Sequence, residues 1–259
     1  MDMPLVALLS DFGLSDHYVG AMKGEILKRC PVARLVDITH EVVPQSLAHG
    51  GVCLEQSLSS FPEGTVFLAV VDPGVGTERR AVAVRAGEYY FVAPDNGLLS
   101  RAVQALGGSD QAVELPLPER VSSTFHGRDV FAPAAGRLAA GQELESLGTP
   151  VDRLVGLPRR MPRQRPQGLE VSVLCVDHFG NVCFECKPEH CPIFFQPGSV
   201  YRIGELELPF QTTFGDVAVG EPLLLWNSAG HLELAVRNGR GEQLINGSQA
   251  VLIQEGLMA

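Results

Sequence analysis

The stretch TVFLAVVDPGVG, residues 65–76, joins a continuous apolar run to an acidic, glycine-rich end. An apolar run of this length is typical of a strand that is buried on both faces of a sheet. Asp72 and the glycines after it predict a tight loop where that strand ends. Ligands of α/β sheets bind at the carboxyl ends of strands, so Asp72 is the first candidate for a functional residue.

The segments around this stretch predict the rest of an α/β sheet. Residues 6–9 form a second apolar run, and residues 34–38 predict a further strand. Between them Val19, Met22 and Ile26 fall on one helical face, and a second helix is expected at 47–58. Strands that alternate with amphipathic helices indicate a sheet covered on both faces.

The character of the sequence changes after residue 157. Prolines and arginines occupy 158–167 without helical or strand periodicity, and we expect a linker there. Short β-type runs separated by glycine and proline follow at 169–176, 199–203, 221–227 and 231–237. We therefore predict an α/β sandwich-like N-terminal domain over 1–157 and a smaller, mostly-β, barrel-like C-terminal domain over 168–259.

Composition and charge narrow the class of protein. Hydrophobic residues make up 45% of the chain and charged residues 19%, which is typical of a globular protein. The formal net charge of −10 argues against a nucleic-acid partner, because phosphate contacts need clustered Lys and Arg. The basic cluster at 153–165 is interleaved with proline, and we interpret it as part of the linker.

The sequence also bears on the cellular compartment. Residues 1–10 lack the basic region of a secretory signal, and no apolar run reaches the ~18 residues that span a bilayer. We expect a cytoplasmic enzyme without a membrane partner, whose 6 cysteines are reduced thiols.

Two more acid-to-glycine turns follow apolar runs. They are SDFG at residues 10–13 and APDNG at residues 93–97. A carboxylate in such a turn can accept hydrogen bonds from ligand hydroxyls, and the glycine lets a ligand approach the backbone. Each turn by itself is ordinary turn chemistry. Three of them at strand ends favour a functional edge of the sheet.

Basic residues near these turns could complete a site. Arg79 and Arg80 follow the Asp72 loop and could pair with Asp72 or bind an anion; the alternative is a solvated hairpin edge. His126 lies in TFHGRD, residues 124–129, just before a predicted helix. Histidine is suited to proton transfer near neutral pH.

Other kinds of site are disfavoured. Cys183, Cys186, His190 and Cys191 lie too close together for the separated ligand pairs of a zinc site, so we predict no metal. The chain has no Walker loop, no complete dinucleotide-binding motif and no Gly-x-Ser-x-Gly nucleophile turn.

Taken together, these motifs resemble those of the S-adenosylmethionine hydroxide adenosyltransferases, the hydrolytic relatives of fluorinase and chlorinase. The resemblance rests on the strand-end motifs above and on VDITH at 36–40, FPEGT at 61–65, FGN at 179–181 and Asn227-Ser228. It implies an α/β N-terminal domain, a smaller β C-terminal domain and a homotrimer. Each site would lie between the N-terminal domain of one subunit and the C-terminal domain of its neighbour.

The resemblance implies hydrolysis of S-adenosylmethionine to adenosine and methionine, with S-adenosylmethionine as substrate and no cofactor. Asp72, Arg79 and His126 would position the attacking water. Arg79 is preferred to Arg80 because the family's Arg lies seven residues after its Asp. Methionine leaves as a neutral thioether, so no acid is needed. Whether water or hydroxide attacks the ribose C5′ stays open.

The resemblance also implies binding roles. Asp11 would accept hydrogen bonds from the ribose diol, Asp177 would meet the methionine ammonium group and Ser228 its carboxylate. The residues implied around adenine are Phe179, Asn181 and Phe214. The chain departs from the halogenases at three positions in these regions. They are Gln45, where halogenases carry Trp, Cys183, where the fluorinase carries Trp, and Ala229, which stands in place of an Arg.

Asp72 separates the branches of the family. The halogenases carry a Tyr at this position and a Tyr-Ser or Tyr-Gly pair in place of His126-Gly127. A carboxylate would repel a halide but accept a hydrogen bond from water. The residues therefore favour a hydrolase. The alternatives are a halide-using enzyme and a non-catalytic sensor of adenosine or S-adenosylmethionine, which would not need Asp72, Arg79 and His126 together.

Overall fold

A computed structural model of the chain describes residues 3–191 and 195–256. The chain forms two compact units, Met1–Leu157 and Pro158–Ala259. Among the described residues, no helix is both long and apolar enough to cross a membrane.

The first unit is built on a seven-stranded mixed sheet with the order β2-β1-β3-β5-β4-β6-β7. Its strands are β1 Leu5–Ser10, β2 Arg34–Thr39, β3 Val66–Val70, β4 Ala81–Ala86, β5 Tyr89–Pro94, β6 Gln111–Glu114 and β7 Thr149–Pro150. The first four strands in this order are parallel, and β4, β6 and β7 pair antiparallel. The loops after β1 and β3 therefore emerge at one edge.

Helices cover both faces of this sheet. They are α1 Tyr18–Arg29, α2 Leu47–Ser57, α3 Ser100–Ala105 and α4 Ala132–Ala139. Val6 and Leu8 point into one core, whereas Ala7 and Leu9 point into the other. A strand that is buried on both sides has no polar face, which explains the continuous apolar runs in the sequence. The predicted α/β fold class is confirmed.

The second unit is an antiparallel β structure with the order β12-β11-β15-β9-β10-β14-β13, and β8 also pairs with β9. The strands are β8 Arg163–Arg165, β9 Gly168–Val176, β10 Val182–Phe184, β11 Val200–Ile203, β12 Leu206–Pro209, β13 Pro222–Trp226, β14 Leu232–Val236 and β15 Ala250–Glu255. Phe210, just after β12, forms a bridge with Leu224 of β13. This bridge joins the two ends of the sheet and closes it into the predicted barrel-like form.

The prediction of a linker at 158–167 is wrong in part. Arg163–Arg165 forms a strand that pairs with the start of β9, and Arg159 donates to the buried carboxylate of Glu185 at 2.6 Å. The stretch therefore belongs to the second unit. Its exposed, charged hairpin strand lacks apolar alternation, which is why periodicity did not reveal it.

Candidate active site

The end of β3 carries Asp72 into a fixed position. Val71 is fully buried, and its carbonyl accepts a hydrogen bond from the side-chain amide of Asn96 at 2.9 Å. Asn96 follows β5, the neighbouring parallel strand. The side chain of Asp72 is only 5% exposed. The two adjacent strand ends thus hold the Asp72 carboxylate in a site largely shielded from solvent.

Arg79 binds Asp72 through two parallel hydrogen bonds. Its Nε donates to Oδ1 at 3.0 Å and its Nη2 donates to Oδ2. Such a fork fixes the plane of the carboxylate as well as its position. The guanidinium also lies 5.2 Å from the centre of the Phe131 ring. Its third nitrogen, Nη1, is buried and has no hydrogen-bond partner among the described residues. A buried unpaired N–H is costly, so this atom is suited to bind an oxygen of a ligand or a water.

His126 contacts the same guanidinium. Its Nδ1 lies 2.8 Å from Nη2 of Arg79. A guanidinium can only donate, so Nδ1 accepts and the hydrogen of the neutral ring is on Nε2. Burial and the positive charge of Arg79 lower the pKa of His126, against the opposing effects of Asp72 and Asp129. His126 is therefore a neutral N–H donor at neutral pH rather than a base.

The loop that bears His126 packs directly on the loop that bears Asp72. Gly76 has a φ of +77°, and a Cβ at this position would lie 2.4 Å from the Ser123 carbonyl oxygen. The chain after His126 makes a π-helical turn, Gly127–Phe131, before α4 begins. Such turns are frequent at functional sites. Asp129 Oδ2 in this turn accepts from the Ser122 backbone N–H at 2.8 Å and closes the loop.

Asp11 occupies the end of β1 in the same unit. Its Oδ2 accepts from the backbone N–H of Gln45 at 2.8 Å. Gln45 has a φ of +64°, a conformation that is uncommon for a residue with a side chain. Non-glycine residues in this region cluster at functional sites. Gln45 thus contacts Asp11 through its backbone.

The second unit contains a cavity of about 1020 Å³. Five residues expected to bind substrate line it, and they are Asp177, Phe179, Asn181, Phe214 and Ser228. Phe179 is 71% exposed and Phe214 is 45% exposed. Exposed aromatic rings at the mouth of a cavity are available to stack on a flat ring system.

The turn between β9 and β10 orders part of this cavity. Asp177 Oδ1 accepts from the backbone N–H of Asn181 at 2.8 Å, and Oδ2 accepts from its side-chain amide at 2.9 Å. Each carboxylate oxygen keeps a further lone pair for a ligand. Asp177 therefore fixes Asn181 as well as offering negative charge to a cation.

Glu233 also lines this cavity, and the sequence did not single it out. Its Oε2 accepts from the side-chain amide of Asn227 at 2.9 Å. Burial raises the pKa of Glu233, as does the charge of Asp177, while the Asn227 hydrogen bond opposes both. The sequence signal was an acidic residue between Leu232 and Leu234, which a half-exposed strand also produces.

The cysteines of the second unit form two neighbouring pairs. Cys183 lies opposite Cys175 in the β9–β10 register. Contact with Cys175 and burial raise the pKa of the Cys183 thiol, and contact with Cys191 and burial do the same for Cys186. Both thiols are protonated and poorly reactive at neutral pH. Among the described residues, no three His, Cys, Asp or Glu side chains group as a metal site.

Family models match both units of the chain. The SAM hydroxide adenosyltransferase N-terminal domain matches residues 6–148, and the C-terminal domain of that family matches residues 171–250. The chain belongs to the SAM hydroxide adenosyltransferase family. The resemblance inferred from the motifs is confirmed.

Several known proteins are similar to the chain over almost its whole length. An (R)-S-adenosyl-L-methionine hydrolase from Salinispora tropica is 42% identical, covering 93% of this chain and 94% of the relative. One from Thermus thermophilus is 40% identical over the same shares. A fluorinase from Nocardia brasiliensis is 32% identical, covering 90% of each chain. A solved structure of an uncharacterized conserved protein from Thermotoga maritima has a TM-score of 0.87 and 35% identity, covering 96% of this chain and 99% of that one.

Proposed function

We propose that this protein hydrolyses S-adenosyl-L-methionine to adenosine and L-methionine. The observation that carries the proposal is the linked arrangement of Asp72, Arg79 and His126, with a buried N–H of Arg79 that has no hydrogen-bond partner in the described part of the chain. The family membership supports it, since relatives at 40–42% identity are named (R)-S-adenosyl-L-methionine hydrolase.

The proposed reaction is a displacement at the ribose C5′. The oxygen of water forms a bond to C5′, the C5′–S bond breaks, and its electron pair returns to sulfur as methionine leaves. The sulfonium cation becomes a neutral thioether, so the leaving group needs no acid. The site must hold the water in line with the C5′–S bond, and such positioning can supply much of the rate enhancement.

The three side chains divide this task by their hydrogen-bonding capacity. The carboxylate of Asp72 accepts a hydrogen bond from the water and receives its proton as the new bond forms. Arg79 Nη1 and His126 Nε2–H are donors that stabilise negative charge on the attacking oxygen. Arg79 occupies the single lone pair of His126 Nδ1. Each Asp72 oxygen also accepts from Arg79 but keeps a second lone pair, so Asp72 is the better proton acceptor of the set.

Substrate contacts are proposed at both units. Asp11 accepts hydrogen bonds from the ribose diol. In the cavity of the second unit, Asp177 meets the ammonium group and Ser228 the carboxylate of methionine. Phe179, Asn181 and Phe214 surround the adenine. The exposed Phe179 and Phe214 rings at the cavity support this arrangement.

The direct test is turnover. The purified protein is incubated with S-adenosyl-L-methionine and the products are separated by chromatography. Adenosine and methionine in equal amounts are expected. A 5′-halogenated adenosine formed with fluoride or chloride would instead indicate a halide-using enzyme. Tight adenosine binding without turnover would indicate a sensor.

The pH dependence should report the protonation of His126. The pKa of His126 lies below its ordinary value of 6.5, and the protonated ring cannot accept a hydrogen bond from Arg79. Activity is therefore expected to persist at pH 6.5 and to fall only at lower pH. The stability of the folded chain should also decrease as the pH falls below 6.5. His126 has the higher pKa in the unfolded chain, which therefore binds the proton more readily than the folded chain.

The measurement is kcat/KM against pH for the wild type and for His126→Asn, whose side-chain oxygen can accept from Arg79 but does not titrate. The variant should be slower and should lose the acid limb that belongs to His126. An unchanged acid limb in the variant would assign it to another group.

We further propose a cytoplasmic homotrimer in which each site combines the first unit of one subunit with the second unit of its neighbour. The family resemblance supports this assembly.

Complementation tests the shared site. Asp72→Asn and Asn181→Ala should each be nearly inactive alone. When the two variants are co-expressed, random assembly gives an intact site at about a quarter of the interfaces, because each unit is intact in half of the subunits. The recovered activity is expected only in fractions whose mass, measured by light scattering, is that of a trimer. No recovery in verified mixed oligomers would show that each subunit holds its own site.

A further inference from the structure

A chain of hydrogen-bonded side chains runs from α1 to the end of β1. Lys23 Nζ donates to Asp37 Oδ2 at 2.6 Å, and Asp37 Oδ1 lies 3.1 Å from His40 Nε2. His40 Nδ1 lies 2.7 Å from Ser10 Oγ. Ser10 is 0% exposed and His40 is 2% exposed. None of these contacts is needed for the proposed displacement itself.

The direction of these hydrogen bonds follows from the chemistry of the groups. Burial favours the neutral form of Asp37, but hydrogen bonds from Lys23 and His40 outweigh it and leave the pKa of Asp37 below its ordinary value. An ionised carboxylate only accepts, so His40 carries hydrogen on Nε2. In the tautomer that carries its hydrogen on Nε2 alone, Nδ1 accepts the hydroxyl hydrogen of Ser10.

The order Ser10, His40, Asp37 resembles that of a serine hydrolase, but the placement excludes a nucleophile. A nucleophilic hydroxyl must reach its substrate, whereas Ser10 has no exposed surface. Its oxygen also accepts the backbone N–H of Phe12 at 3.3 Å. The series of hydrogen-bonded side chains therefore ends on the protein backbone rather than at a reactive group.

Asp11 lies in this backbone segment, between Ser10 and Phe12. The N–H of Gly13 donates to the His40 carbonyl at 2.8 Å, and the N–H of Val42 donates to the Ser10 carbonyl at 3.3 Å. Together with the Ser10 Oγ contact, these bonds tie both sides of Asp11 to His40 and its segment. The same segment leads to Gln45, whose backbone N–H holds the Asp11 carboxylate at 2.8 Å.

We infer that His40 and Ser10 are positioning residues that set the Asp11 carboxylate for recognition of the ribose diol. This inference rests on the proposed function, since it assigns Asp11 to the ribose. Neither residue contacts the nucleoside. Loss of either should weaken only those interactions that depend on the ribose hydroxyls.

The test compares binding of adenosine and of 2′,3′-dideoxyadenosine by calorimetry. In His40→Ala and Ser10→Ala, the Kd of adenosine should rise by about tenfold, the size of one lost hydrogen bond. The Kd of the dideoxy compound should stay as in the wild type. His40→Asn should recover much of the discrimination, because its amide oxygen can accept from the Ser10 hydroxyl.

Thr65→Val is the matched control. Thr65 is 1% exposed, and its hydroxyl donates to the Pro62 carbonyl at 2.6 Å just before β3 begins. This variant also removes one buried hydroxyl hydrogen bond, but at the opposite end of the strands. It should lower Tm about as much as Ser10→Ala does and leave the ratio of the two Kd values unchanged.

The outcomes separate this inference from the proposed function. If the wild type hydrolyses S-adenosylmethionine and Asp11→Ala loses the preference for adenosine, the proposed function stands. Full preference for adenosine in folded Ser10→Ala, and in His40→Ala if it folds, would then overturn the positioning role alone. A wild type with neither turnover nor preference for adenosine would instead contradict the proposed function.

Discussion

Asp72→Asn is expected to lower the kcat for S-adenosylmethionine by about a thousandfold, while adenosine binds with nearly unchanged affinity. Asn has the same shape but cannot take a proton from the attacking water, and its NH2 group would face a donor of Arg79. Removing a general base typically costs a factor of about 10²–10⁴. The expected split between kcat and Kd arises because Asp72 acts on the water and not on the nucleoside.

Glu55→Gln provides the matched control for Asp72→Asn. Glu55 accepts from Arg101 Nε at 2.6 Å, and both side chains are 8% exposed. This pair lies between α2 and α3, away from the Asp72 loop. Both substitutions weaken a buried Arg–carboxylate pair, so both should lower Tm. Only Asp72→Asn should lower kcat per folded molecule, and full turnover by Asp72→Asn would remove Asp72 from the reaction.

Local sequence patterns predict most of the fold of the first unit. The runs that form β1 and β3 are apolar throughout because each strand is buried on both faces. The hairpin β4–β5 follows from the Gly87 turn between two apolar runs. The strand β8 could not be predicted in this way. It is exposed and charged, and only its pairing with β9 makes it a strand.

The sequence predicted which residues form the candidate site but not how their side chains are arranged. Strand-end motifs and the family resemblance named Asp72, Arg79 and His126, and the structure brings these three side chains into contact. Their catalytic roles remain predictions. The tautomer of His126 depends on a contact between residues 47 positions apart. The lack of a partner for Arg79 Nη1 within residues 3–191 and 195–256 likewise depends on the packing around it. No local pattern encodes such a geometry. Glu233 was missed for a different reason, because an acidic residue between Leu232 and Leu234 is equally typical of a half-exposed strand.

Gly76→Ala is expected to lower kcat by about a hundredfold although Gly76 makes no proposed contact with substrate. The new Cβ would lie 2.4 Å from the Ser123 carbonyl oxygen, well inside van der Waals contact. The loop of Asp72 and the loop of His126 must then move apart. A misplacement of about 1 Å in an active site can cost about 10²-fold in rate. Steady-state kinetics with S-adenosylmethionine measures the effect.

Gly64→Ala separates this steric effect from backbone strain. Gly64 has a φ of +80°, almost the same as the +77° of Gly76, but a Cβ there meets nothing within 4 Å. Both variants lose about 1–2 kcal/mol of stability because alanine disfavours this conformation. Only Gly76→Ala also separates the two loops, so only its kcat should fall. Equal kcat values for the two variants would mean that Asp72 and His126 tolerate displacement, and the water would not need both residues at once.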